Sequence, residues 1–123
     1  EGDGSTLMNL GSLGTVGRIM PDNLIIVVWD NEKWAQTGYQ ASHTAYGTDL
    51  ESVARATGFK KTSTVSNEED LDLIFAQALE EPGPWYIVAK IQEQEYLPVA
   101  PVEPEATMHR FRSTFVDEEK RIG

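Results

Sequence analysis

The sequence predicts an α/β fold of three layers, in which a parallel β-sheet is flanked by helices. Two observations support this prediction: helical and strand-like segments alternate along residues 6–91, and one strand-like segment is a continuous apolar run. Strands that alternate with helices favour parallel pairing, because each helix carries the chain back across the sheet. An uninterrupted apolar run is typical of a strand that is buried on both faces of such a sheet.

The first helix and strand occupy residues 6–29. Apolar residues at helical intervals predict a helix from residue 6 to about residue 20, with Ser5 or Thr6 as its cap and an end at Pro21-Asp22-Asn23. The run Leu24-Ile25-Ile26-Val27-Val28-Trp29 then predicts the buried strand.

Three glycines follow one another at every third position of this first helix, at Gly11, Gly14 and Gly17. Each glycine costs about 1 kcal/mol in helix propensity relative to alanine. We interpret them as a small-residue face that packs closely against a neighbouring element, rather than as phosphate contacts.

The next segments complete the alternation. Residues 30–47 have no clear periodicity and indicate an active-site loop with space for a single helical turn. Thr48 and Glu51 form a capping box for a second helix that ends at Gly58. A strand is predicted at 61–65, a third helix from Ser66 to Leu79, and a last strand at 85–91 after Pro82-Gly83-Pro84.

A Gly-Asp-Gly turn at residues 2–4 and an Asn at position 31 indicate a metal and phosphate site. Mg²⁺ takes near-octahedral oxygen ligands, commonly one or two carboxylates together with the phosphate oxygens of its ligand. Asp3 can provide a carboxylate and Asn31 an amide oxygen, while Gly2 and Gly4 let the backbone approach a bulky anion. Ligands bind at the carboxyl ends of strands in open α/β sheets, so both segments are expected at one edge.

These residues resemble the signature of the thiamine diphosphate (ThDP) enzymes, Gly-Asp-Gly followed about 25 to 30 residues later by Asn. Asp30 stands where the family often has a first Asn, and the matched ligand is Asn31. The wider text of residues 2–13, with Thr37-Gly38-Tyr39-Gln40, is most similar to the sulfopyruvate and phosphonopyruvate decarboxylases. The resemblance covers residues 1–91 and implies the diphosphate-binding domain of a ThDP enzyme.

The resemblance also implies which residues form the site, with ThDP and Mg²⁺ as cofactors. The metal ligands would be the side chains of Asp3 and Asn31 and the backbone carbonyl of Lys33. The cofactor contacts would be Gly2, Asp3, Gly4, Ser5, Asn31, Lys33 and Trp34, and the substrate contacts Thr37, Gly38 and Gln40.

The roles of Trp34 and His43 in the loop each have an alternative explanation. Trp34, together with Tyr39, could serve only to shape the loop. His43 is a candidate catalytic residue, as a proton shuttle or a substrate contact, because its ordinary pKa lies near neutrality. A solvated loop histidine is the favoured interpretation, since nothing in the sequence fixes its geometry.

The resemblance implies a ThDP-dependent 2-oxo acid decarboxylase component. In this family a Glu on a separate pyrimidine-binding domain or subunit activates the cofactor, so we expect a homo- or hetero-oligomer and an isolated chain without activity. The alternatives are another ThDP enzyme, of the acetolactate synthase or benzoylformate decarboxylase type, and a non-catalytic assembly domain. The intact Asp3 and Asn31 pair favours an enzyme, because a scaffold has no need of metal ligands.

Composition excludes several other classes. A net charge of −10 in 123 residues argues against nucleic acid and anionic membranes as partners, because phosphate surfaces are bound by clustered Lys and Arg. The chain has no cysteine, hence no disulfide or thiolate site, and no apolar stretch of membrane-spanning length. We expect a soluble cytoplasmic protein.

The two ends of the chain differ from the rest. Residues 92–123 predict a Pro/Glu-rich linker, with Pro98, Pro101 and Pro104, and a short basic-aromatic helix at 108–115 that docks on the domain or on a partner. Only Glu1 precedes the Gly-Asp-Gly turn, where a core strand is expected. We therefore expect a fragment of a longer polypeptide, with a ThDP-binding domain at residues 1–91 that lacks its first strand.

Overall fold

The structure is a computed structural model that describes residues 1–92 and 103–115. The chain divides into two compact units, residues 1–93 and 94–123, and each is described by itself. The boundary predicted at residue 91 stays a prediction, and most of the predicted linker, including Pro98 and Pro101, lies outside the described residues.

The described part of the chain alternates between helices and strands. The helices are α1 (Asp3–Met8), α2 (Gly11–Ile19), α3 (Leu50–Ala56), α4 (Glu68–Glu80) and α5 (Pro104–Phe115). The strands are β1 (Ile25–Asp30), β2 (Lys33–Trp34), β3 (Gln40–Ala41), β4 (Lys61–Val65) and β5 (Trp85–Lys90). Two 3₁₀ turns, Ala35–Thr37 and His43–Tyr46, lie in the segment between β1 and α3.

Three of the strands form a parallel sheet in the order β1-β5-β4. One face packs on α2 and α3, with Leu13, Leu50 and Ala54 against Val28 and Tyr86. The other face packs on α4, where Ala78 lies in one cluster with Val65, Trp85 and Ile87. The predicted three-layer α/β fold is confirmed.

The strand that is buried on both faces is β5 and not β1. Residues Trp85 to Ala89 of β5 are all buried, because this strand lies between two others. The apolar run of β1 is only partly buried, and Trp29 is 46% exposed. On its outer side β1 meets a short stretch of backbone: Gly2 bridges Trp29, whose N–H donates to the carbonyl of Glu1 at 2.8 Å.

The prediction of one helix from residue 6 to residue 20 is wrong, because the helix starts earlier and is interrupted. The first turn begins at Asp3 with Gly2 as the cap, so neither Ser5 nor Thr6 caps it; the Ser5 hydroxyl instead accepts from the Gly2 N–H at 3.0 Å. The helix breaks at Asn9, whose φ of −143° is not helical. Asn and Gly are weak helix formers, and Asn9 is followed closely by Gly11.

Only one of the three helical glycines is in close contact with a neighbour. A Cβ on Gly17 would lie 1.9 Å from the carbonyl oxygen of Thr57, so this glycine lets α2 touch the end of α3. A Cβ on Gly14 would meet nothing within 4 Å, and one on Gly11 only the Asn9 side chain at 4.0 Å. The small-residue face is thus confirmed at Gly17 alone.

The later helices lie where the sequence predicts them, but with different caps. Asp49, not Thr48, caps α3, and its carboxylate accepts from the Ser52 N–H at 3.0 Å. The predicted capping-box residue Glu51 instead accepts from Arg55 and from two threonines of β4, Thr62 and Thr64.

The third and last helices begin away from the predicted residues too. Asn67 rather than Ser66 caps α4, accepting from the Asp70 N–H at 2.8 Å. In the second unit, α5 begins at Pro104, four residues before the predicted start at Met108. Proline suits the first position of a helix, because the N–H that it lacks would have no helical partner there.

Candidate functional site

A cleft of about 460 Å³ opens at the carboxyl edge of the sheet, between the start of α1, the end of β1 and the β2 segment. All seven residues predicted as cofactor contacts line it, namely Gly2, Asp3, Gly4, Ser5, Asn31, Lys33 and Trp34. Thr37 also lines the cleft, whereas Gly38, Gln40 and His43 are not among its lining residues. The two segments that carry the Gly-Asp-Gly turn and the Asn therefore meet at one place.

Asp3 is the carboxylate of this cleft, and it is 2% exposed. Its Oδ2 accepts a hydrogen bond from the Ser42 hydroxyl at 2.5 Å, and the Thr44 hydroxyl oxygen lies 3.3 Å away. Both hydroxyls come from the segment after β2, about forty residues further along the chain. Burying a carboxylate is costly unless it is hydrogen-bonded, and the hydrogen bond from Ser42 offsets part of that cost.

Asn31 follows β1 and turns the backbone into the next short strand. Its Oδ1 accepts from the Lys33 N–H at 3.1 Å, which is an Asx turn. An amide oxygen carries two lone pairs, so this hydrogen bond leaves it able to coordinate a cation.

A second buried carboxylate, Asp30, lies at the end of β1 beside Asn31. Lys90, its register partner on β5, places its Nζ 2.8 Å from Asp30 Oδ2 and 2.8 Å from Glu32 Oε1. Burial lowers the pKa of the Lys90 ammonium, but its hydrogen bonds to Asp30 and Glu32 outweigh that effect and raise the pKa above the usual value. Glu32 has a left-handed φ of 60°, and this ion pair holds its side chain.

Thr44 connects the two carboxylates. Its hydroxyl donates to Asp30 Oδ1 at 2.8 Å and lies 2.8 Å from the Ser42 hydroxyl, which in turn donates to Asp3. We call the four side chains of Asp3, Ser42, Thr44 and Asp30 the polar edge cluster. All four are buried, at exposed fractions of 0 to 5%.

Sequence reasoning missed every member of this cluster except Asp3. Ser42 and Thr44 fall in the aperiodic segment, where no pattern distinguishes a buried hydroxyl from an exposed one. Asp30 and Lys90 do carry a signal, since each ends a strand of the parallel sheet. The ion pair between Asp30 and Lys90 can be inferred only when β1 and β5 are known to be neighbours, and the sequence does not reveal that order.

Trp34 forms one wall of the cleft. A Cβ built on Gly4 would lie 2.7 Å from the indole ring, so the absence of a side chain at Gly4 gives Trp34 its place. The His43 ring meets Trp34 edge-on, with ring centroids 6.3 Å apart, and His43 itself is exposed.

The residues predicted as substrate contacts form a turn of their own. The Gln40 side chain hydrogen-bonds with the Thr37 carbonyl and hydroxyl at 3.3 Å each. Gly38 and Tyr39 both adopt positive φ, of 132° and 62°, as a reversal between β2 and β3 requires. Only Thr37 of the predicted three lines the cleft.

The donor set suits a hard divalent cation. Asp3, Asn31 and Lys33 all line the cleft, and a carboxylate, an amide oxygen and a backbone carbonyl are available from them, all oxygen ligands of the kind that Mg²⁺ takes. Residues 1–92 and 103–115 contain no group of three or more His, Cys, Asp and Glu that could hold a metal. A site with a single carboxylate is compatible with that finding, because Mg²⁺ sites are commonly completed by phosphate oxygens and water.

Residues 1–89 match the family described as thiamine pyrophosphate enzyme, C-terminal TPP binding domain; thiamine pyrophosphate is another name for ThDP. The chain therefore belongs to this family, and the predicted membership is confirmed.

Among the helices of the described residues, none has the length and apolarity to cross a bilayer.

The relatives of this chain include two sulfopyruvate decarboxylase beta subunits. That of Methanocaldococcus jannaschii is 44% identical over 90 residues, which are 73% of this chain and 47% of the relative. That of Methanococcus maripaludis is 39% identical over 112 residues, or 90% of this chain and 60% of the relative. A phosphonopyruvate decarboxylase of Streptomyces viridochromogenes is 36% identical over 115 residues, 92% of this chain and 29% of the relative. The chain thus spans less than two thirds of each relative.

Proposed function

We propose that this chain is the Mg²⁺-dependent ThDP-binding part of a decarboxylase that acts on a 3-sulfo- or 3-phosphono-2-oxo acid. The observation that carries the proposal is the meeting of Asp3, Asn31 and Lys33 in one cleft at the carboxyl edge of the sheet. Similarity to sulfopyruvate and phosphonopyruvate decarboxylases supports the substrate class.

Each residue of the cleft has a proposed role. The Asp3 carboxylate, the Asn31 amide oxygen and the Lys33 carbonyl would hold Mg²⁺. Gly2, Gly4 and Ser5 would lie against the diphosphate, and Trp34 would bound the cleft beside Gly4. When bound, ThDP supplies the ring that accepts the electrons released as CO₂ leaves a 2-oxo acid.

The remaining roles follow the same proposal. Thr37, Gly38 and Gln40 are the proposed substrate contacts, and His43 the candidate proton shuttle. A pyrimidine-binding domain or subunit would complete the enzyme as a homo- or hetero-oligomer, and two of the relatives are named as beta subunits. The proposed compartment is the cytoplasm.

Calorimetry of ThDP binding tests the cofactor site. The wild-type chain should bind ThDP in the presence of Mg²⁺ and lose most of this affinity in its absence. Asp3→Ala should abolish Mg²⁺-dependent binding, because it removes the carboxylate of the ligand set. Asp72→Ala, which removes an exposed carboxylate on α4, should bind as the wild type does. Equal affinities in all three proteins would contradict the assignment.

Decarboxylation is measured separately, as CO₂ release from 3-sulfopyruvate and from pyruvate by the chain mixed with a pyrimidine-binding subunit. Preferential release from the sulfonated acid is expected. Release from neither acid would contradict the proposed reaction and leave the calorimetric result standing.

A further inference from the structure

We propose that Ser42 and Thr44 are positioning residues for the metal ligand Asp3, and that they tie this ligand to the end of β1. The inference rests on the proposed function, because it takes Asp3 to be a metal ligand. It adds to that function a pair of hydroxyls that neither the Gly-Asp-Gly turn nor the Asn31 position indicates.

The geometry joins three separate segments through four buried atoms. From Asp3 Oδ2 the contacts run to Ser42 Oγ at 2.5 Å, on to Thr44 Oγ1 at 2.8 Å and on to Asp30 Oδ1 at 2.8 Å. Asp30 directly precedes Asn31, so the path ends at the segment that holds the proposed amide ligand. The two halves of the proposed metal site are therefore linked through the protein itself.

Ser42 is fixed from both its backbone and its side chain. Its N–H donates to the carbonyl of Glu32 at 2.9 Å, while its hydroxyl donates to Asp3. A hydroxyl held in this way restricts the carboxylate to one rotamer before any ligand arrives. Such preorganisation increases affinity, because less conformational entropy is lost on binding.

The chemistry of the partners distinguishes the two carboxylates of the cluster. Asp30 is ion-paired with the Lys90 ammonium, which offsets its charge. Asp3 instead accepts a hydrogen bond from the neutral Ser42 hydroxyl, with the Thr44 hydroxyl 3.3 Å away, and neither group carries a charge that would offset that of a carboxylate. A carboxylate has about four acceptor sites, so these hydroxyl contacts leave room for a cation. The arrangement makes Asp3 the carboxylate that is suited to Mg²⁺.

The test measures Mg²⁺ affinity by calorimetry at a fixed excess of ThDP, without any assay of turnover. Removing a residue that orients a metal ligand typically weakens metal affinity about 10- to 100-fold. We expect a loss in this range for Ser42→Ala and a smaller loss for Thr44→Val, whose side chain has nearly the same shape as threonine. Thr44→Ser keeps the hydroxyl and should bind within about 3-fold of the wild type.

Thr57→Val is the matched control. It also removes a hydroxyl, which donates to the Ala54 carbonyl at 2.8 Å, but at the end of α3 and not at the cleft. Its thermal stability should fall as that of Thr44→Val does, while its Mg²⁺ affinity should stay unchanged. A purely structural role for Thr44 predicts instead that both variants keep the wild-type affinity.

The outcomes separate this inference from the proposed function. If Asp3→Ala loses Mg²⁺-dependent binding while Ser42→Ala and Thr44→Val bind as the wild type does, the function stands and the positioning role is refuted. If Ser42→Ala does not fold, the comparison of Thr44→Val with Thr44→Ser decides the question. If the wild-type chain shows no Mg²⁺-dependent binding, the proposed function and this inference both fail.

Discussion

The centre of the sheet and its polar edge cluster are buried to the same degree but stabilised in opposite ways. Val28, Tyr86 and Ile87 are fully buried and gain free energy by removing apolar surface from water. Asp3 and Asp30 are 2% exposed and would cost free energy at that depth without their hydroxyl and ammonium partners. Burial at the centre stabilises the fold, whereas burial at the edge fixes a geometry. Changes in the first region should therefore alter stability, and changes in the second should alter binding.

Gly17→Ala gives the largest expected effect and tests the first half of this comparison. Its new Cβ would lie 1.9 Å from the Thr57 carbonyl oxygen, a backbone atom that cannot move without shifting α3. Overpacking of this kind should lower the free energy of unfolding by about 3 kcal/mol, measured by urea denaturation. The folded fraction should bind ThDP and Mg²⁺ with unchanged affinity.

Gly14→Ala is the control for that variant. The added methyl group would meet open space, so the higher helix propensity of alanine should stabilise the protein by up to about 1 kcal/mol. Equal stability of the two variants would contradict the contact between α2 and α3. Weakened cofactor binding in a Gly17→Ala protein of normal stability would break the division between the two regions.

The fold was largely predictable because local patterns specify it. The helices at Leu50–Ala56 and Glu68–Glu80 follow from apolar periodicity and from the breaks at Gly58 and Pro82, and the strand at Lys61–Val65 lies between these two helices. The caps were misplaced by one residue each at Asp49 and Asn67, since neighbouring polar residues can cap equally well and only the backbone decides.

The site was predictable only where a linear motif reaches it. The Gly-Asp-Gly turn and Asn31 indicated the cleft, and the structure brings them together. Ser42 and Thr44 could not be found, because their role depends on the path of an aperiodic segment back to Asp3. The sequence also misplaced the doubly buried strand, since the order β1-β5-β4 depends on packing between distant segments.

Tyr86→Phe tests the contribution of a polar atom in the apolar centre of the sheet. Tyr86 lies on β5, with its ring edge-on to Phe59. Burial raises the pKa of the Tyr86 hydroxyl from 10.0 to about 12, and the nearby Thr6 hydroxyl opposes part of this rise. The Tyr86 hydroxyl makes no hydrogen bond among the described residues. Because burial disfavours the ionised hydroxyl, the wild type keeps its full stability below the unfolded pKa of 10.0 and loses stability as the pH rises from there through the folded pKa of about 12.

The expected result is a pH-dependent difference between wild type and Tyr86→Phe, of order 2 kcal/mol in favour of the variant near pH 12. Below pH 10, where the hydroxyl is neutral in both states, the two unfolding free energies should differ by less than about 1 kcal/mol. Lys90 also has a raised pKa, but it is present in both proteins and cancels in the comparison. Parallel urea curves at pH 8 and pH 11.5 measure the difference; identical shifts at both pH values would contradict a buried hydroxyl.

Asp49→Ala gives the smallest effect, and it shows what a carboxylate contributes outside the polar edge cluster. Asp49 is exposed and caps α3, where its hydrogen bonds with Ser52 lower its pKa below the usual 3.8. Losing the cap should cost about 1 kcal/mol, whereas Thr48→Ala should change stability by less than about 0.5 kcal/mol. A lowered pKa stabilises the folded protein at neutral pH and ceases to do so as the pH falls through the folded value. The difference in melting temperature between wild type and Asp49→Ala should therefore shrink in acid, while cofactor affinity stays unchanged. A larger loss of stability from Thr48→Ala than from Asp49→Ala would show that Thr48 is the cap.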